Sequence, residues 1–136
     1  MLLGELIEKC DSLKEGVDLC FNTVVKGEVE GDNVSSLINY VFNNIVDYYN
    51  HYYTLMGVIN TVDIVLSDGK KINLNRAFTI RDSLKKKISF LEKVMLNNNY
   101  NISIKDVLVI KDELVADLAY IESAINKKTW STNVDI

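Results

Sequence analysis

The stretch LLGELIEKCDSLKEGVDLCFNTVV, residues 2–25, decides the fold class. Leu3, Leu6, Cys10, Leu13, Val17, Cys20 and Val24 follow one another at spacings of 3 and 4 without a break. A strand would repeat its apolar residues every second position. Spacings of 3 and 4 instead gather these side chains onto one seam of an α-helix. Ile7 and Phe21 widen the stripe. The two cysteines both fall on the seam. Ten positions apart on one helix, they are separated by about 15 Å of rise, well past the ~7 Å Cα limit of a disulfide. No CxxC pair or companion histidine accompanies them, so they read as small core residues and not as a redox pair or metal ligands. Glu5, Glu8 and Lys9 interrupt the apolar run that a secretory signal needs. The expectation is a cytoplasmic protein, or one released by a non-signal route.

Outward from this helix the same period recurs. KGEVEGDN, residues 26–33, reads as a loop whose Asp32 or Asn33 caps the next helix. That helix is expected over about 34–60, with Leu37, Ile38, Val41, Ile45, Tyr48, Tyr52, Leu55 and Ile59 inward. TVDIVLSDGKKINL, residues 61–74, alternates at Val62, Ile64 and Leu66, turns at Ser67-Asp68-Gly69, and resumes at Ile72 and Leu74: a short β-hairpin with Asp-Gly at its tip. A third helix over about 74–97 carries Ala77, Arg81, Leu84, Ile88, Leu91 and Met95 on one seam and ends in the asparagine-rich stretch 97–101. A fourth, over about 105–127, places Val107, Ile110, Leu114, Leu118, Ile121 and Ile125 inward. The predicted fold is a single all-α domain over 1–136, an antiparallel four-helix bundle with a short β-hairpin between helices 2 and 3. The chain has no proline to stop these helices. None of its apolar runs reaches the ~18 residues of a membrane-spanning helix.

A net charge of −4 without a basic stripe argues against nucleic acid as a partner. Lys85-Lys86-Lys87 reads as a solvated helix face. DYYNHYYTLM, residues 47–56, sets the only histidine between two pairs of tyrosines. His51 falls at the edge of the apolar stripe with Asp47 four residues before it, so a half-exposed Asp–His pair is expected. Neither a nucleophile nor further metal ligands accompany it. The expectation is therefore no catalytic residue, no metal and no cofactor. Tyr48 and Tyr52 share the core stripe. Tyr49 and Tyr53 lie further round and, with Phe42 and Met56, broaden the apolar arc beyond what one partner helix needs. Tyrosine suits a half-wet interface because its ring buries while its hydroxyl stays satisfied. Arg81 on a seam is costly unless paired: Asp82, Asp63 or a residue of another subunit could supply the partner, or the side chain snorkels out of the seam.

INT at 59–61, the Asp68-Gly69 turn, RAFTIRDSL at 76–84 and INKKTWSTNV at 125–134 together resemble the septicolysin family, small bacterial helical proteins otherwise carried as a domain of unknown function. Asn60, Ala77, Arg81, Asp82, Leu84, Ile125, Trp130 and Thr132 stand where that pattern puts them. Thr129 replaces its asparagine, and Ile80 replaces the first of its paired arginines. The resemblance covers most of residues 55–134. It implies two helical pairs with a β-hairpin excursion, and assembly. The family name implies a cytolysin.

Two function classes follow as expectations. One is a non-enzymatic helical protein that self-associates, as a homo-oligomer, or binds a protein partner through Tyr49, Tyr53, His51 and Met56, with Asn60, Arg81, Asp82 and Trp130 as a structural polar cluster. The alternative is a leaderless, septicolysin-like, membrane-active cytolysin.

Overall fold

The computed structural model describes residues 1–27, 31–97 and 103–135. The chain is all-α, with four helices and a two-stranded antiparallel hairpin between the second and third. The helices are α1 (Leu3–Val25), α2 (Gly31–Ile59), α3 (Leu74–Leu96) and α4 (Ile104–Thr129), and the strands are β1 (Asp63–Val65) and β2 (Lys71–Asn73). They divide into two compact units. One holds Met1–Val58 and Thr129–Ile136, the other Ile59–Lys128.

In the first unit the α1 seam is buried as its spacing demands. Leu3, Leu6, Cys10 and Leu13 are buried, and Val17, Cys20 and Val24 are half-buried. Phe21 is 60% exposed and does not join it. On α2 the inner positions Leu37, Val41, Ile45, Tyr48 and Leu55 are half-buried, while Ile38 is 41% and Tyr52 39% exposed. Tyr40 reaches Gly16, and Tyr48 lies in the electrostatic range of Cys10. The partner on α1 moves backward as α2 advances, so the two helices run antiparallel. Helix α2 begins at Gly31, one turn earlier than its expected start near 34. Asn33 therefore lies inside the helix instead of capping it. Residues 28–30 and the side chain of Asp32, parts of the expected loop and cap, lie outside the described residues, as do 98–102 of the asparagine-rich stretch.

The end segment folds back on the start of α1. Leu2 bridges Asn133, Leu3 N–H donates to the Thr132 carbonyl at 2.8 Å and Val134 N–H to the Met1 carbonyl at 2.8 Å. This clasp satisfies an N-terminal amide of α1 that has no partner within the helix. It also sets the Trp130 ring against Gly4, where a Cβ would stand 2.6 Å from the indole.

The second unit starts from the hairpin. Asp63 pairs with Asn73, Ile64 with Ile72, and Val65 with Lys71. Gly69 N–H donates to the Leu66 carbonyl at 2.9 Å, and Leu66 N–H to the Lys70 carbonyl at 2.8 Å. Gly69 sits at φ 83°. This is a three-residue loop, a turn followed by a left-handed glycine bulge, which requires Gly at that position. Each strand has three residues, far short of the ~9–11 of a membrane-spanning strand. Asn73 ends β2 and caps α3, its side chain accepting from Arg76 N–H at 2.8 Å. Leu74, Ala77, Leu84 and Ile88 of α3 and Ile121 and Ile125 of α4 form the core, with Ile59 and Ile64 also buried.

The α4 seam departs from expectation at one place. Ile110 is 50% exposed, and half-buried Lys111 takes the inward slot, pairing with Glu92 at 3.4 Å. The series Val107, Lys111, Leu114, Leu118, Ile121, Ile125 keeps the 4-3-4 rhythm that Ile110 would break.

Candidate interaction surface

The side chains of DYYNHYYTLM are ordered by the helix that carries them. Tyr48 stacks on Tyr52 with ring centroids 5.7 Å apart, and Tyr49 meets Tyr48 edge-on at 5.0 Å. Burial raises the Tyr48 phenol above its ordinary value, with Tyr52, Cys10, Tyr49 and Asp18 adding to it. Tyr49 is 59% exposed and Tyr53 83% exposed, whereas Met56 and His51 are half-buried.

The expected Asp–His side-chain pair does not form. His51 Nδ1 lies 2.7 Å from the backbone carbonyl of Asp47. A carbonyl only accepts, so Nδ1 carries the proton. The ring turns back along its own helix and reaches the i−4 carbonyl before the carboxylate. No group of three or more His, Cys, Asp or Glu able to hold a metal exists among the described residues.

Tyr49 and Tyr53 belong to a longer row. Phe42 is 68% and Val46 58% exposed, and Phe42, Val46, Tyr49 and Tyr53 follow at spacings of 4, 3 and 4. This is a second seam, one residue round from the inner seam of Val41, Ile45, Tyr48 and Tyr52. Val46 is the member that sequence reasoning missed, although the spacing that reveals it was there to read. Antiparallel helices with facing seams send the residue after each seam position to the same flank. The second unit displays this rule: Lys85 follows Leu84, Glu122 follows Ile121, and the two side chains meet at 3.9 Å. On α1 the equivalent flank runs Gly4, Ile7, Asp11, Lys14, Asp18 and Phe21, with Asp11, Lys14, Asp18 and Phe21 exposed. The row of rings on α2 therefore borders an edge of α1 that is charged in its middle and apolar at its ends.

The chemistry of α2 is unusual for a helix with an open face. From Asn33 to Ile59 it holds one formally charged residue, Asp47, and no lysine or arginine. A helix face turned to bulk water ordinarily carries charges. Here the polar positions are asparagine, serine, threonine and tyrosine, which serve equally well in a half-wet contact with another protein.

The polar residues expected to cluster divide between the units. In the second, Asn75 Nδ2 donates to Asn60 Oδ1 at 3.0 Å, and Arg81 Nε pairs with Asp82 at 3.0 Å while its guanidinium lies 4.9 Å from the Phe78 ring centroid. Trp130 belongs to the first unit, against Gly4. Arg81 is thus accommodated on its seam by a neighbouring carboxylate and an aromatic face, both on its own helix. The second unit also contains an open groove of about 440 Å³ lined by Leu66, Asp68, Ile80, Leu84, Asp117 and Tyr120, among others. Its carboxylates have no histidine or cysteine beside them to form an acid–base or nucleophilic pair.

No helix among the described residues is long and apolar enough to cross a membrane. No protein-family model, no curated protein and no solved structure matches the chain.

Proposed function

We propose that this is a non-enzymatic helical protein that works by self-association, with the outer seam of α2 as its contact surface. The observation that supports this reading is the row Phe42, Val46, Tyr49 and Tyr53, exposed on a helix almost devoid of charge. Three aromatic side chains at these exposures, with one valine, offer roughly 500 Å² of apolar surface. That is more than half of the ~800 Å² each partner contributes to an interface of standard size. Met56 lies at its margin, whereas His51, one turn after Asp47, falls on the other side of the inner seam. A membrane surface is the less favoured occupant, because interfacial helices carry lysine or arginine toward the lipid headgroups and α2 has neither.

Light scattering across micromolar concentrations tests the reading. The expected mass is a multiple of the 15.4 kDa chain, falling to one chain in a Tyr49→Glu, Tyr53→Glu variant that keeps its helical circular dichroism. A single-chain mass at every concentration would overturn it. So would a monomer that sediments through the same face with phosphatidylcholine–phosphatidylglycerol vesicles, which would return the surface to the membrane reading.

A further inference from the structure

We infer that two copies of the chain pack α2 against α2 in antiparallel orientation, about a two-fold axis passing between Val46 and Tyr49. This rests on the self-association reading and adds the partner's orientation and register. The 4-3-4 spacing of the outer seam is the same read in either direction. A two-fold axis at its centre sets Phe42 of one copy against Tyr53 of the other, and Val46 against Tyr49. Each large ring then meets either a second ring, in a pairing that aromatic side chains favour, or a small side chain that makes room for it.

The parallel alternative pairs each residue with itself. It would place Val46 on Val46 beside Tyr53 on Tyr53, leaving a gap next to a bulge, and it would align the two helix dipoles unfavourably. Antiparallel pairing also closes on itself, so assembly through this seam stops at two copies. The seam has no charge to leave unpaired when it is covered. Asp47, the one charged residue of α2 from Asn33 onward, lies well away from the seam, two positions past the inward-facing Ile45. On the neighbouring helix Asp11, Lys14 and Asp18 supply charge along one side of the seam, as the polar rim of protein interfaces does.

Spin-label distances decide the arrangement without disturbing the seam. Ser36 and Asn50 are exposed and lie at its edge, one residue further round. With the axis midway between Val46 and Tyr49, and 1.5 Å of rise per residue, the two copies of Ser36 stand about 35 Å apart along the helices and those of Asn50 about 8 Å. Single labels are placed at Ser36→Cys or Asn50→Cys in a Cys10→Ala, Cys20→Ser background of unchanged mass by light scattering. The expected result is a distance beyond 30 Å for Ser36, one below 20 Å for Asn50, and loss of both when Tyr53→Glu is added. Short distances at both positions would mean parallel packing and would overturn this inference while leaving self-association intact. An assembled protein with no measurable distance at either position would place the contact elsewhere and overturn it as well. A single-chain mass would remove both readings together.

Discussion

Gly4 and Trp130 show how little room a single position leaves. A Cβ on Gly4 would stand 2.6 Å from the indole, and the backbone around it is held by the Leu3–Thr132 and Val134–Met1 hydrogen bonds. Gly4→Ala must push the ring aside or loosen the clasp. The expected loss is about 1–2 kcal/mol of stability, read as a lower urea midpoint with a shift in tryptophan emission. Cys10 carries a second test. Burial, with Asp11 beside it, pushes its thiol above the ordinary value, and the Tyr48 phenol on the facing helix is raised as well, chiefly by burial. Both groups are held neutral in the folded chain. The stability this represents is fully present below their ordinary values of 9.0 and 10.0 and is lost as pH climbs through the folded ones. The urea midpoint should therefore fall as the pH rises above about 9, less steeply in Cys10→Ala. Disulfide-exchange reagents should modify half-buried Cys20 well before Cys10. That both thiols sit on the seam was readable from spacing alone. The His51 contact was not, because a wheel places a side chain on a face but does not say whether it meets a neighbour's carboxylate or its carbonyl.

Among the elements, the hairpin and the charged seam positions carry the most information. Asn73 closes a strand and opens a helix with one side chain, so Asn73→Ala should cost about 1 kcal/mol by removing the cap on Arg76 N–H. Lys111 is the more revealing case. It occupies an inward slot of α4 that exposed Ile110 was expected to fill, and it pairs with a half-exposed Glu92. Such a pair contributes little by itself: Glu92→Ala should change stability by no more than about 0.5 kcal/mol. Lys111→Leu should instead raise the denaturation midpoint by up to about 1 kcal/mol, since an apolar side chain there continues the seam. Lys111 would then be retained for the register it imposes on α3 and α4, since a charge that finds its partner in only one alignment disfavours slipped pairings. The four helices, the hairpin and most seam residues followed from periodicity, which reports the average face of a helix. The exchange of Ile110 for Lys111 escaped it because two adjacent residues differ by one step of the wheel, and hydrophobicity favoured the wrong one. The outer seam of α2 was half legible: Tyr49 and Tyr53 stood out as aromatic, while Val46 was hidden among ordinary apolar residues.

At the scale of the whole chain, the outer seam ties folding to association. Each unit is built on a pair of helices, and a pair can bury one stripe on each member but not a second. On α2 the second stripe is as apolar as the first. An isolated chain would thus leave aromatic surface in water whose burial is worth about 25 cal/mol per Å². If a second copy covers it, folding and association are linked by mass action, and stability must depend on concentration. Each tenfold rise in protein should add about 1.4 kcal/mol per dimer. With the usual unfolding entropy per residue, that amounts to about 2–5 °C in melting temperature, depending on whether one unit or both unfold with dissociation. Scanning calorimetry from about 1 to 100 μM protein measures this directly. The wild-type transition should move upward with concentration, and the Tyr49→Glu, Tyr53→Glu variant should melt at one temperature throughout. A wild-type melting temperature that stays fixed over that range would mean that covering the outer seam contributes nothing to holding the chain folded.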